Sequence, residues 1–418
     1  MLNRKIALFL FLSSIYCQTS LSGYGYGNIE NNSDLRSFGS SSELLPSFKN
    51  NVSLTNPSTW HNLLFTYLNT SLNVQSAEFQ STTQNNFSLS SAKLVVPWKG
   101  KMSFGLSFEP YLNRQLTISD STATSYELDD ENSFDVRRER FSSGGPSVIK
   151  MSYGYKLNDN ESVGVTLGTI FGSSRSSINL IIDEENHLLQ SRDYFSGNVM
   201  DFYISSKRLS LKSKPLILSA NYHFPINGIN VENDTYQAFL DLNDNNYHDL
   251  DDFPDVGQAL LPLNFNFKDE ISINSLRLGA DYEFKKNHHL QFELLDWKDN
   301  GKHISNNSVV PGYIKSRSKI SFGFASFVDQ FEREKINYKA SIFFQDYDVK
   351  SLENINEVGL GLGIGFNFGI TANQIDFGYQ FINRSGIHLI DNEKIQNFTI
   401  GISIGDLWFV KRLSLIHI

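Results

Sequence analysis

In the stretch Gly359-Leu-Gly-Leu-Gly-Ile-Gly-Phe-Asn-Phe368, every second residue is large and apolar. Successive side chains of a strand point to opposite faces. Leu360, Leu362, Ile364, Phe366 and Phe368 therefore share one face, and Gly359, Gly361, Gly363, Gly365 and Asn367 share the other. A strand about ten residues long, greasy on one side and small or polar on the other, suits the wall of a membrane-spanning barrel. A soluble β-sandwich alternates in the same way, so one strand does not separate the two. The pattern of the whole chain does.

Period-two runs bounded by turn residues recur near 60–71, 86–96, 101–112, 147–157, 161–172, 196–206, 214–224, 274–284, 288–297, 317–328, 334–345, 357–368, 373–383 and 396–406. Several carry a legible apolar face, such as Met102, Phe104, Leu106 and Phe108, or Ile336, Tyr338, Ala340, Ile342 and Phe344. The run at 196–206 is weaker, because Val199 and Tyr203 fall on its polar face. Connections after even-numbered runs are short: 97–100, 158–160, 208–213, 285–287, 329–333 and 369–372. Several after odd-numbered runs are long: 113–146, 173–195, 225–273 and 298–316. That parity is expected of a membrane barrel, with short turns in the periplasm and long loops outside. The fold class expected is all-β, a transmembrane antiparallel up-and-down β-barrel of about 14 strands with an N-terminal plug. An even strand count closes the sheet and removes its edges.

Bulk properties agree. Hydrophobic residues make up 40% of the chain, with 33 Phe and 18 Tyr, yet mean hydropathy is −0.28. No run after residue 20 reaches the ~20 apolar residues of a spanning helix. A barrel needs only alternate residues to be apolar. The net charge of −9 argues against a nucleic-acid partner. Residues 1–17 read as a signal peptide: Arg4 and Lys5 precede a short apolar core from Ile6 to Leu12. Cys17 is the only cysteine, so no intrachain disulfide forms, and the Ser-Ile-Tyr before it lacks the small residue of a lipoprotein acceptor. Trp408 and Phe409, near the end of the last run, are candidates for an interfacial aromatic girdle. The expected order is signal peptide 1–17, hatch or plug segment 18–59, barrel 60–409 and tail 410–418. The location expected is the outer membrane of a Gram-negative-type bacterium, with its lipids as the first partner.

Fourteen strands enclose more space than their own side chains fill. Residues 18–59 are the candidate filler, with a periplasmic tail as the alternative. Three short motifs bear on this: Ser22-Gly-Tyr-Gly-Tyr-Gly27, Leu35-Arg-Ser-Phe-Gly39 and Asn56-Pro57-Ser58. With the ending Gly405-Asp-Leu-Trp-Phe409, they resemble outer-membrane proteins of the long-chain fatty-acid transporter family. The run Ser40-Ser-Ser-Glu-Leu-Leu-Pro46 departs from that pattern. The resemblance implies a fourteen-stranded barrel, an N-terminal hatch inside it, and passage of hydrophobic molecules. It implies a role in the hatch for Arg36, Gly39, Asn56 and Pro57.

No phosphate loop, nucleophile elbow or zincin motif occurs, and the chain is not expected to be an enzyme. A barrel acyl hydrolase would need a Ser–His pair, for which His223 is available; His288-His289 reads as a solvated turn. Asp241, Asn243, Asn245, Asp249 and Asp252 take positions 1, 3, 5, 9 and 12 of an EF-hand-like loop, a candidate external Ca²⁺ site or else a solvated acidic tip. Asp135-Val-Arg-Arg-Glu-Arg140 reads as self-paired loop surface. The leading function expected is passive uptake of a hydrophobic, fatty-acid-like small molecule. Inward-facing Ile170, Ile217, Leu295 and Phe343 either line its path or pack on the hatch. The alternatives are a structural or secretion-accessory barrel that docks protein partners through its loops, and an open polar porin.

Overall fold

The computed structural model describes residues 20–29, 35–47, 51–79, 82–119, 124–129, 132–182, 185–212, 214–235, 239–240, 242–243, 250–251, 253, 267–303, 312–327, 336–350, 354–368, 373–387 and 390–406. Fourteen long strands form a closed barrel, numbered here in chain order. They are β1 (Thr66–Phe79), β2 (Thr82–Trp98), β3 (Met102–Pro110), β4 (Asn132–Lys156), β5 (Glu161–Ile182), β6 (Glu185–Leu211) and β7 (Lys214–Thr235). The second half comprises β8 (Ile273–Lys285), β9 (His288–Asp299), β10 (Ile314–Ser326), β11 (Ile336–Val349), β12 (Ile355–Phe368), β13 (Asn373–Ile387) and β14 (Ile390–Asp406). Every neighbouring pair is antiparallel. Closure comes from β14 against β1, in register from Asp406 opposite Thr66 to Lys394 opposite Glu78.

The alternation in the sequence becomes two chemically different faces. Leu360, Leu362, Ile364, Phe366 and Phe368 are exposed on β12, as are Met102, Phe104, Leu106 and Phe108 on β3. The residues between them face inward. An exterior this apolar is stable only against lipid, and the protein is an outer-membrane barrel. Near the short-turn end the outer face becomes aromatic. Phe284, His288, Phe324 and Tyr338 stack in sequence on β8 to β11, with centroids 5.9 to 6.1 Å apart. Aromatic side chains with polar tips are the expected occupants of the membrane–water interface.

Several expectations are corrected. The first strand begins at Thr66, not at residue 60. Residues Pro57–Asn62 form a 3-10 turn capped by Asn56, because proline suits the first helical position and the Asn side chain accepts from the Ser58 N–H. Two of the expected long connections, 113–146 and 173–195, hold more strand than loop. β5 runs to Ile182 and β6 starts at Glu185, so 173–195 is a hairpin extension of the wall. β4 starts at Asn132, so the Asp135–Arg140 run is strand rather than loop surface. The period-two signal fades there because these ends stand clear of lipid and need no greasy face. His289 is not solvated: it is 4% exposed and pairs with Asp281 at 2.9 Å. The signal peptide 1–17, Trp408, Phe409, the tail 410–418 and the turns 329–333 and 369–372 lie outside the described residues.

Candidate functional site: the barrel lumen and the break in its wall

The inner face of the barrel carries a second layer of chain. Residues 35–47 and 51–62 lie against inward-facing groups of nearly every strand. At Gly39 the backbones approach so closely that a Cβ would sit 2.5 Å from the Gly363 backbone. A side chain on Gly378 would strike Phe38 at 2.5 Å, one on Gly279 would strike Leu45 at 2.6 Å, and one on Gly323 would strike the Ser40 carbonyl at 2.7 Å. Gly154 stands likewise against the Pro57 carbonyl. The glycines that alternate with greasy residues on the strands are thus where the inner layer needs room. That glycine stripe was the sequence signal for this contact.

Polar groups complete the seat. Arg36 is 2% exposed; its Nε donates to Ser403 Oγ at 3.1 Å and stands 3.7 Å from Asp376. Ser341 Oγ donates to the Gly39 carbonyl at 2.9 Å, and Gln380 Nε2 donates to the Phe38 carbonyl at 3.0 Å. The Glu43 and Leu44 N–H groups donate to the Glu293 carboxylate at 2.9 and 2.8 Å. Glu43 itself pairs with Arg277. Burial pushes the Glu43 carboxyl up, but the facing Arg277, Lys319 and Arg317 cations outweigh it and hold it below the usual carboxylate range. Asn56 Nδ2 donates to Ser205 Oγ at 3.1 Å. Arg36, Gly39, Asn56 and Pro57, named from short motifs, therefore all lie at contacts with the wall. Glu43, Arg277 and Glu293 were not singled out from sequence, because an inward charge on a strand looks like any polar residue until its partner is known.

Nearer the loop end the lumen is apolar. Leu21, Tyr24 and Tyr26 pack with Tyr111, Leu112, Val148, Ile170, Phe195, Leu295 and Trp297 in one buried cluster. Of the four proposed path residues, Ile170 and Leu295 meet here. Phe343 belongs to a separate cluster with Ala77, Ile382 and Ile395. Ile217 lies beside the short-turn end, near His61 and Lys207. The four do not form one track.

Beside this cluster the wall breaks. β2 pairs with β1 along almost its whole length, from Thr82 opposite Phe79 to Val95 opposite Tyr67. It pairs with β3 only from Ala92 opposite Phe108 to Trp98 opposite Met102. Beyond Phe108 the chain stays with β4, through the Tyr111 N–H to the Pro146 carbonyl at 2.8 Å. It then pairs inward, Leu112 and Asn113 opposite Ile29 and Asn28 of the inner layer. Among the described residues no strand covers the 82–91 edge of β2 on that side. Pro110 sits at the parting point, where a residue without an N–H costs no ladder bond. Arg114, 1% exposed, anchors the turned-in segment by pairing with Asp193 and donating to Ser174 Oγ at 3.1 Å.

A cavity of about 140 Å³ lies below the apolar cluster. Its walls mix apolar side chains, Leu44, Leu54, Trp60 and Trp297 among them, with buried charges. Glu109 bridges Lys93 at 3.1 Å and Lys150 at 2.9 Å. His223 Nδ1 meets Asp201 Oδ1 at 2.9 Å, and its Nε2 meets Tyr111 Oη at 3.2 Å. Both ring nitrogens of His223 are engaged by these partners, and no described serine bonds to either. Of the candidate Ca²⁺ ligands, Asp241, Asn245, Asp249 and Asp252 lie outside the described residues, and Asn243 is exposed. No group of three or more potential metal ligands occurs among the described residues.

Comparison with known proteins follows this geometry. A profile described as BamG matches residues 2–413. No curated protein matches in sequence. Among solved structures, the chain is similar to a Pseudomonas aeruginosa FadL homologue at 12% identity and a TM-score of 0.56, covering 90% of this chain and 99% of that one. It is similar to the CymD monoaromatic hydrocarbon channel at 12% identity and a TM-score of 0.52, covering 94% and 100%. At these identities the likeness is one of fold, and it bears out the resemblance noted from the two ends of the chain.

Proposed function

The chain belongs to the BamG family, and from that premise we propose that it admits hydrophobic small molecules through the outer membrane by way of its broken wall. The observation that carries this reading is the uncovered 82–91 edge of β2 beside the buried cluster of Tyr111, Leu112, Tyr24 and Tyr26. A molecule that partitions into an apolar cluster and leaves sideways never has to cross the charged cavity below. Residues 20–29, 35–47 and 51–62 act as a hatch: they fill the lumen against ions and leave the apolar layer as the part that yields. The fatty-acid-like class of ligand suits this arrangement, and the fold shared with the CymD monoaromatic hydrocarbon channel extends the class to aromatics. Sealed vesicles carrying the protein test the reading. Entry of toluene or oleate with near-zero ion conductance is the expected outcome. A large steady conductance would mean an open porin.

One observation favours a second reading, a structural barrel that docks protein partners. The cavity of about 140 Å³ sets buried charge pairs, Glu109 with Lys93 and Lys150, among its apolar walls, and a hydrophobic ligand has no use for them. Absence of ligand entry together with a stoichiometric co-purifying protein would select it.

A further inference from the structure

The short-turn end carries a charge pattern that transport does not use. The segments 98–102, 156–161, 207–214 and 284–287 hold two, one, four and two Lys or Arg residues against only Asp159 and Glu161, in a chain whose net charge is −9. Both carboxylates are already paired, Asp159 with Lys156 at 2.7 Å and Glu161 with Arg208 at 2.8 Å. Lys99, Lys101, Lys212 and Lys285 are exposed and have no carboxylate partner among the described residues.

Their placement is regular. Each follows or precedes the last lipid-facing apolar residue of its hairpin by one position. Lys99 follows Trp98, which is 39% exposed, and its Nζ stands 5.9 Å from that ring. Lys101 precedes Met102, Lys212 follows Leu211, and Lys285 follows Phe284, all three neighbours being exposed outward. An apolar or aromatic side chain at the acyl boundary, with a cation one residue beyond it, sets the cation at the depth of lipid headgroups. Short turns of such barrels face the periplasm, so the headgroups are those of the inner leaflet.

We infer that this rim binds anionic phospholipid headgroups, of the phosphatidylglycerol type, as a belt around the β2 to β9 side of the barrel. The cations flank the lipid-facing surface, which selects lipid over an acidic protein docked across the mouth. Each lysine near an anionic surface contributes about 1 kcal/mol, so four of them exceed a tenfold preference.

The test uses the full chain in mild detergent, offered equimolar phosphatidylglycerol and phosphatidylethanolamine of the same acyl chains, with retained lipid counted by native mass spectrometry. The expected result is phosphatidylglycerol retained about tenfold or more over phosphatidylethanolamine, with the preference shrinking at high salt, because exposed charges are screened. Replacing the four lysines together (Lys99→Gln, Lys101→Gln, Lys212→Gln, Lys285→Gln) should erase the preference. The four Lys→Arg changes should keep it. Equal retention of both lipids by the native chain would overturn the inference, even if an acidic peptide bound. So would a preference that survives the Gln changes. Neither readout depends on ligand uptake, and the native chain in low and high salt suffices if a variant fails to fold.

Discussion

The two ends of the lumen hold the same inner layer by different forces. Toward the short turns, residues 35–47 and 51–62 are seated by charge and hydrogen bonds, Arg36 beside Asp376, Glu43 on Arg277 and backbone N–H groups on Glu293, with an apolar cluster of Val52, Leu54 and Trp60 beside them. Near the loops, residues 20–29 are seated mainly by packing, with Leu21, Tyr24 and Tyr26 in the apolar cluster, beside one two-residue strand pairing and a Tyr26 hydroxyl that donates to Asp269. A buried ion pair tolerates little displacement, since pulling one partner away leaves the other charge unmatched. An apolar contact is indifferent to what replaces it. A hydrophobic ligand therefore competes with the upper seat and not with the lower. The wall breaks beside the upper seat, where such competition is useful.

The largest test removes both seats. Deleting Tyr24 to Leu54 should leave a folded barrel, because strand pairing is independent of the segment, and ion conductance should rise many-fold as the wide lumen opens. Conductance equal to that of the full chain would show that the segment seals nothing, and the contrast between its two ends would lose its functional meaning.

Next comes the charged seat alone. Glu43→Ala removes the closer partner of Arg277, which keeps Glu293 at 3.6 Å, and should cost about 1.5–3 kcal/mol of seating. The expected readout is protease cleavage within residues 35–62 while the heat-modifiable barrel persists. Tyr24→Leu, which keeps the upper seat apolar, should leave cleavage unchanged. If the two variants behaved alike, the division into polar and apolar seats would fail.

A third measurement places the boundary of the lumen on the wall itself. Ile364→Arg puts a charge on the lipid face and should cost about 2–4 kcal/mol near the membrane midplane. Gly363→Ser, facing Gly39 from inside, should cost less, because only a small group must be accommodated. Unfolding by urea in lipid vesicles compares them, and reversed costs would mean that the faces are assigned one residue out of register.

The smallest effect is one of pH. His61 sits at the short-turn end of the inner layer, and burial lowers its pKa to about 4, helped by Lys207 and Lys156 and opposed by a bond to the Ser58 carbonyl. The unseated chain binds a proton near the ordinary histidine pKa of about 6.5 and the seated one does not. Seating is therefore at full strength above that value and weakens as pH falls toward about 4. Protease susceptibility of residues 51–62 should rise over that window in the native chain and stay flat in His61→Gln. Parallel curves for the two would remove His61 from the account.

Much of the wall was written in the chain. The period-two runs near 214–224, 288–297 and 357–368 became β7, β9 and β12, because a strand with lipid on one face needs an apolar residue at every second position. The same logic accounts for the miss at residue 60. Trp60 is apolar and precedes a real strand, but it belongs to a capped 3-10 turn inside the lumen, where hydrophobicity carries no periodicity. Strand ends such as Ser173–Ile182 were unreadable because they rise beyond the lipid, where the constraint that creates the pattern is absent.

The inner layer divides in the same way. The strand count told that a barrel of this size encloses more space than its own side chains fill. Which residue meets which did not follow. Glu43 and Arg277 are 234 positions apart, and a charge facing inward has the same local signature whether it lines water or holds a partner. The break in the wall is likewise a property of pairing: Pro110 marks the site, but only the register of β2 against β1 and β3 decides that the 82–91 edge is left uncovered. Local alternation answers to the solvent on each side of a strand and is legible residue by residue. Seats and openings answer to partners distant in the chain, and those are settled only when the sheet has closed.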